Sequence, residues 1–596
     1  MKFYLLALAL LLMPSRQTKA AAIAEDGVAR TAIVIDPSAT DTEAFAARQL
    51  ATCLHEITGA TFQIQTSHTP PVRAIIVGFG AAADAAFKEL PSTPLGDEEL
   101  LIRTDGDRIL LAGGRPRGTL YAVSRFLQEA CGARWWTPWA SRMPHLPTLR
   151  ISDINLRDKP AFEYRDPYWH CAFDPDWSWH NCCNGESSHL PPSQGGCVIY
   201  KYFVHSFYTL VPPKEYFATH PEWFSLVKGH RTAENAQLCL SNPRLRDFVV
   251  ERVKQALRES PDAGIISVSQ NDCFNPCECP SCKAIDDAEG SHAGSMIAFV
   301  NYIAEKIQPD FPSVTVDTLA YQYTRKPPRT LRPRSNVVVR LCNIECDFRQ
   351  ALDSPANASF AADIHGWEQR ADRLYVWDYV TDFAHYLQPF PNWFTLGPDL
   401  RFYQANHVRG VFDEGAYGSY GAEMAELRAW VLARLLWNPR QDDRALIREF
   451  LDGYYGAAGA PLGRYMDLME HASENFNLTC YTRPDAAFLR FKPLAEAEAL
   501  WRQAEQAVAG DGELLARVRQ GHLSLQYVWL LRWPELREEC NRAGAAWPFT
   551  ETRADLARQW ETAAKGTPGK PWTEVTALRE GGQTPAEFLT KIGEKP

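Results

Sequence analysis

The 596-residue sequence has no basic excess: 62 Lys and Arg stand against 72 Asp and Glu, a formal net charge of -10. No cluster of Lys and Arg offsets that balance, which argues against nucleic acid as the partner. After the first two dozen residues there is no uninterrupted apolar run long enough for a membrane helix. G-x-S-x-G and H-E-x-x-H are missing, so neither a serine-hydrolase elbow nor a zinc-hydrolase helix is available. Gly113-Gly114 precedes a helical pattern, but without the G-x-G-x-x-G spacing it reads as a turn, and no cofactor is expected. What is present is ordinary for a folded protein: 45% apolar and 22% charged residues, over a length that suggests two to four domains.

Lys2, an apolar run over residues 3–13, Pro14 and small residues over 20–24 with A-x-A sites form a secretory signal peptide, residues 1–24. No cysteine follows closely enough for a lipid anchor, so the chain is expected to be secreted or periplasmic. The fifteen cysteines then meet an oxidising compartment. The 18 Trp, 22 Tyr and 29 Phe exceed nothing a core could absorb, but flat rings with polar edges also suit the C–H faces of sugars.

Residues 25–150 alternate strands and helices and form a modest α/β sandwich domain, with one clear stripe at Leu120, Val123, Phe126, Leu127 and Ala130. Residues 151–421 alternate strands with amphipathic helices, as a (β/α)8 TIM-type barrel does. FEYRDPYW (162–169) reads as the first strand and VIYKYFVHSF (198–207) as the second. The third falls near 223–227 or 238–240, and later strands fall over 264–269, 314–321, 336–343, 373–379 and 408–415. Asn242-Pro243 is an N-cap followed by proline at the first helical position. Residues 325–334 are proline-rich and read as an extended crossover. From 422 to 596 the sequence is a helical C-terminal domain, whose last part, from about Gly566, reads as a loosely docked tail.

Barrel enzymes place chemistry at the C-terminal ends of strands. Those ends carry Arg165, Asp166, Tyr168 and Trp169; His205; Asn271 and Asp272; Tyr321 and Tyr323; Asn343 and Glu345; Asp378; and Asp413 and Glu414. Paired carboxylates in an aromatic mouth suit glycoside hydrolysis, which needs an acid for the leaving oxygen and a second group for the oxocarbenium-like centre. Burial near Trp377 is one way to raise the acid's pKa. Each carboxylate can also simply cap a strand or pair with Arg165 or Arg340, and Asp166 and Asp413 are left with that role. Cys273, Cys277, Cys279 and Cys282, spaced C-x3-C-x-C-x2-C, suit disulfides in an exported protein, with a structural zinc as the alternative. In either case they pin the loop beside Asp272.

QNDCFNPCECPSCKAIDDAEGSHAG, FVNYIAEKI, TLAYQYTRKPP, LCNIECDF, LYVWDY and GVFDEGAYG, with HSFYTLVPPKEYFATHPEWFSL upstream, resemble glycoside hydrolase family 163 over residues 162–420. The domain order resembles the α-glucuronidases and family 20 hexosaminidases. The resemblance implies a retaining glycosidase, an endo-β-N-acetylglucosaminidase type acting on complex N-glycans or glycoproteins with participation of the 2-acetamido group. It departs from the hexosaminidase pattern where Asn271-Asp272 replaces an Asp-Glu pair. Glu345 is then expected as general acid/base, Asp378 as orienting group or nucleophile, and Glu414 as the substitute for either. Arg165, Trp169, His205, Asn271, Asp272, Tyr321, Tyr323, Trp377 and Tyr379 are expected to bind substrate. The alternatives are a glycosidase for another sugar, a uronic acid or furanose, and a non-catalytic carbohydrate-binding barrel.

Overall fold

A computed structural model describes residues 20–594. Most of the expected leader, residues 1–24, lies outside the described residues; its last four residues and Glu25 form a strand, Ala21–Glu25, paired antiparallel with Leu149–Ile151. The chain forms two compact units, one running to Ala133 and taking in Met143–Lys159, the other made of Arg134–Arg142 and everything from Pro160 onward.

The smaller unit is built on a six-stranded mixed sheet. Its order is Asn155–Asp158, Leu100–Asp105, Arg108–Gly113, Ala74–Val77, Ala32–Ile35, Ile64–Thr66, parallel over the last four and antiparallel at the first two junctions. Helix Asp41–Thr58 starts from a capping box between Thr40 and Glu43 and ends on Gly59 in the left-handed conformation. Helix Gly118–Glu129 buries Leu120, Val123, Phe126 and Leu127 of the stripe read from its sequence, while Ala130 caps its end half-buried. A Cβ on Gly114 would stand 1.8 Å from the Gly96 carbonyl oxygen, so the Gly-Gly pair is there for close backbone approach, as a turn requires.

The larger unit is organised round seven parallel strands: β1 (Tyr164–Tyr168), β2 (Tyr200–Lys201), β3 (Ile265–Ser267), β4 (Thr315–Ala320), β5 (Val337–Cys342), β6 (Leu374–Tyr379) and β7 (Val408–Glu414). They pair in the order β1-β7-β6-β5-β4-β3-β2, so first and last strands meet and the sheet curls on itself. Among the described residues β1 and β2 do not pair, and the curled sheet stays open at that seam. The complete eight-stranded barrel is thus corrected to an open seven-stranded sheet. Residues expected as a third strand form a separate hairpin, Leu226–Val227 with His230–Arg231, and a bridge between Phe224 and Leu238. The second strand is cut short because Tyr202 and His205 take positive φ, 56° and 52°, which no strand can continue.

Side-chain parity along these strands decides what faces the lumen. Tyr164, Tyr200, Phe203, Trp377 and Phe412 surround the Arg340 guanidinium at 4.6 to 6.0 Å, and Arg340 Nε donates to Asp317 Oδ2 at 3.2 Å. This charged, aromatic layer fills the interior, and the layer above it opens as a cavity. Helix Pro243–Glu259 begins as expected, the Asn242 side chain accepting from Leu245 N–H.

Beyond the sheet the unit is helical. Helix Ala425–Trp437 is buried along its whole length, and Asp443–Tyr455, Gly459–Ala472, Phe491–Ala507 and Gly512–Leu531 pack round it and each other. The expected loose tail is another correction, because Val575, Leu578, Phe588 and Leu589 are all buried. Among the described residues no helix is long and apolar enough to cross a membrane.

Candidate active site

At the C-terminal end of the curled sheet lies a cavity of about 290 Å3, at the small end of the range for ligand pockets. Its wall takes His205, Asp272, Tyr321, Trp377, Tyr379 and Glu414 from the strand ends, and Tyr417, Tyr481 and Glu580 from later segments. Cys342 and Phe383 also contribute to the wall.

Glu414 is the most perturbed acid of this wall. It is 8% exposed, and its Oε2 accepts from Trp377 Nε1–H at 2.8 Å. Burial pushes its pKa up to about 8; the Trp377 hydrogen bond works against this, and the charges of Glu580 and Asp272 add to it. Such a carboxyl holds its proton at neutral pH. Across the cavity Asp272 Oδ1 accepts from the Tyr321 hydroxyl at 3.2 Å, and Glu580 Oε1 accepts from the Tyr417 hydroxyl at 2.9 Å. His205 is fixed by its Nδ1 at 2.8 Å from the Gln270 carbonyl oxygen. Three carboxyl groups, a ring of tyrosines and one histidine therefore share the space, with neither Lys nor Arg among its lining.

Two of the three carboxylates favoured from sequence lie elsewhere. Asp378 follows Trp377 and precedes Tyr379, both of which line the cavity, so the two-residue period of β6 turns it outward. There it accepts from Asn343 Nδ2 at 2.5 Å and lies in a buried acidic group with Asp399 and Asp413. Burial lifts Asp378 to about 6, and burial together with its acidic neighbours lifts Asp413 well above the carboxylate range. Glu345 is half-exposed and paired with Arg325 Nη1 at 3.0 Å, outside the cavity.

The expected binding residues divide in the same way. His205, Asp272, Tyr321, Trp377 and Tyr379 line the cavity. Arg165 points away from the lumen: its Nε donates to the Cys182 carbonyl at 2.8 Å and its Nη1 to that of Phe162 at 2.7 Å. Trp169 is fully buried, Asn271 spends its amide on Tyr208 N–H and the Ala236 carbonyl, and Tyr323 packs near His292. Sequence reading missed Tyr417, Tyr481 and Glu580. Tyr417 sits in the quoted GVFDEGAYG motif and was within reach; the other two come from the helical region, where no strand-end rule points.

The cysteines depart from expectation too. Cys239, Cys273, Cys277, Cys279 and Cys282 are free thiols, not disulfides. Cys277, Cys279 and Cys282 converge with Cys239 instead of Cys273, their four sulfurs lying within 4.8 Å of one another. No member of this group lines the cavity.

Among solved structures, a family GH115 4-O-methyl-α-glucuronidase described as specific for decorated arabinogalactans superposes on this chain with a TM-score of 0.58 at 11% identity. The match covers 91% of this chain and 78% of that one, and at that identity it speaks for the fold. No curated protein matches the sequence. The resemblance to glycoside hydrolase family 163 is not upheld, and with it falls the implied endo-β-N-acetylglucosaminidase identity: the family that matches takes in those motifs under another description, and the similar fold is that of a glucuronidase. The match runs over residues 135–467, more than half of the chain, and the protein belongs to the family described as "Domain of unknown function (DUF4838)".

Proposed function

We propose that this protein is an exported glycoside hydrolase whose proton donor is Glu414. The observation that carries the proposal is a buried carboxyl, raised to about 8 and hydrogen-bonded by Trp377, facing a small aromatic cavity that also holds Asp272. Glycosidic cleavage needs one acid still protonated at working pH to deliver a proton to the leaving oxygen, which Glu414 supplies. It also needs a carboxylate to activate water or attack the anomeric carbon, and Asp272, positioned by the Tyr321 hydroxyl, takes that part. Trp377, Tyr379 and Tyr417 offer flat faces for a sugar ring.

For the sugar, the fold shared with an α-glucuronidase supports a uronic acid. A uronate brings its own negative charge, which His205 and the tyrosine hydroxyls would receive. One observation favours a second reading, an uncharged sugar: three carboxyl groups and no Lys or Arg line the cavity, which disfavours a further anion.

Matched aryl glucuronides and aryl glucosides of both anomeric configurations separate these readings. Glucuronide turnover at least about tenfold above glucoside turnover supports the uronic acid, a difference of about 1.4 kcal/mol in transition-state binding. The opposite order supports the uncharged sugar. Calorimetric binding of oligosaccharides with no turnover of any substrate replaces hydrolysis by a carbohydrate-binding role.

A further inference from the structure

We propose that Cys239, Cys277, Cys279 and Cys282 bind one structural zinc ion. The four thiols come from two separate stretches of chain. Cys239 follows the bridge between Phe224 and Leu238, whereas Cys277 and Cys279 end the loop that leaves Asp272 and Cys282 lies in the first turn of helix Pro280–Glu289. All four are buried, and their sulfurs lie mutually within 4.8 Å, with Cys239 Sγ 3.6 Å from Cys279 Sγ. A tetrahedral zinc with bonds of about 2.3 Å needs sulfurs about 3.8 Å apart on every edge, so the four thiolates close round an ion with little movement. Two disulfides would instead draw the sulfurs into pairs at about 2.05 Å.

The surroundings are those of a thiolate-bound cation. Leu226 N–H points at Cys277 Sγ at 3.4 Å and Cys282 N–H at Cys279 Sγ at 3.5 Å. Arg231 Nη1, 3.6 Å from Cys277 Sγ, offsets part of the negative charge that four thiolates leave on a divalent ion. Cys273, included by spacing alone, is turned away, with its Sγ 3.5 Å from the Ala236 carbonyl oxygen. With four protein ligands the centre is closed, which assigns it to structure and not to hydrolysis. Its effect is to tie the loop after Asp272 to the 226–242 segment, where Gln237 Nε2 already donates to the Asn271 carbonyl at 3.0 Å.

The inference does not depend on the activity. The test is metal analysis of the full-length protein purified without added zinc, with cobalt(II) as a spectroscopic substitute and Cys239→Ser and Cys273→Ser as variants. The expected result is one zinc per chain, intense sulfur-to-cobalt charge-transfer bands with tetrahedral d–d bands after exchange, and retention of the ion by Cys273→Ser. Cys239→Ser should lose it and melt at lower temperature. Should Cys239→Ser be insoluble, stoichiometry and cobalt spectrum in wild type and Cys273→Ser decide. The proposal is overturned by metal-free protein whose four cysteines map to two disulfides, or by an ion that Cys273→Ser loses.

Discussion

Glu414 shows how one residue's setting decides its chemistry. It follows Asp413 directly in the strand, yet parity sends Glu414 into the cavity and Asp413 into the packing behind the sheet. If Glu414 is the acid, kcat/KM should decline as pH rises through about 8, because the protonated form is the active one. Glu414→Gln should remove that limb and lower turnover of a substrate with a poor leaving group by about 10²- to 10⁴-fold. The same shift acts on stability. The folded pKa lies above the ordinary 4.5, so the contribution of Glu414 is intact below about 4.5 and is lost as pH rises through about 8. Glu414→Gln should therefore raise the melting temperature at pH 8.5 and leave it nearly unchanged at pH 4.5, as thermal denaturation at the two values would read. Asp378→Asn and Glu345→Gln should leave turnover within about threefold of wild type. The first relieves a buried acidic group, and the second breaks a half-exposed pair of the kind worth about 0–1 kcal/mol. A hundredfold loss in either would move the chemistry back to the sites read from sequence.

At the scale of elements, much was legible where periodicity was strong. The strands at 314–321, 336–343, 373–379 and 408–415 match the sequence reading within a residue or two, since short runs rich in apolar residues, bounded by amphipathic helices or a proline-rich crossover, leave little else to form. Which residue of a strand faces the lumen was not legible, because a strand buried on both sides carries no polar alternation to set its phase. Strand-end position alone therefore points to Asp378 as a cavity residue, and only the phase of β6 turns it away. The cysteine ligand set was mis-assigned for a related reason: spacing reports only neighbours in sequence, and Cys239 arrives from across the fold. The helices Phe491–Ala507 and Gly512–Leu531 hold a second feature without a sequence signal. His522 is buried between Glu498 Oε2, 3.0 Å from its Nε2, and Glu505 Oε1, 2.7 Å from its Nδ1, and stacks on Trp501. Burial pushes the imidazole pKa down, but the two carboxylates more than reverse this and hold it up at about 9. Its contribution is complete below the ordinary 6.5 and is lost as pH rises through about 9. His522→Gln should cost about 3–5 kcal/mol at pH 7, as expected when one partner of a buried ionic group is removed. Its melting temperature should also fall less steeply than that of wild type between pH 7 and 9.5.

For the whole molecule, the cavity depends on chain that lies far from the strands in sequence. Glu580 reaches it from a segment read as a loose tail, because Gly and Pro between short apolar patches resemble a linker until tertiary contacts are known. The segment is held by backbone bonds, Glu580 N–H to the Phe383 carbonyl and Tyr386 N–H to the Leu578 carbonyl, at 2.8 and 2.9 Å. It is then clamped by Phe588, buried against Tyr527 and Trp560 with ring centroids 4.7 and 5.4 Å away. Phe588 does not line the cavity, so its removal separates the clamp from the chemistry. Phe588→Ala should cost about 3–5 kcal/mol of folding stability, the usual penalty for emptying a buried aromatic site. Well below the melting temperature, where the rest of the unit stays folded, kcat/KM should also fall several-fold, because the Glu580–Tyr417 pair on the cavity wall loses its support. Phe588→Leu should recover most of both, since it restores apolar volume without the ring. Denaturant titration paired with steady-state kinetics at low temperature reads the two effects apart. A destabilised Phe588→Ala with unaltered kcat/KM would show that the C-terminal segment stabilises the helical region and has no part in shaping the cavity.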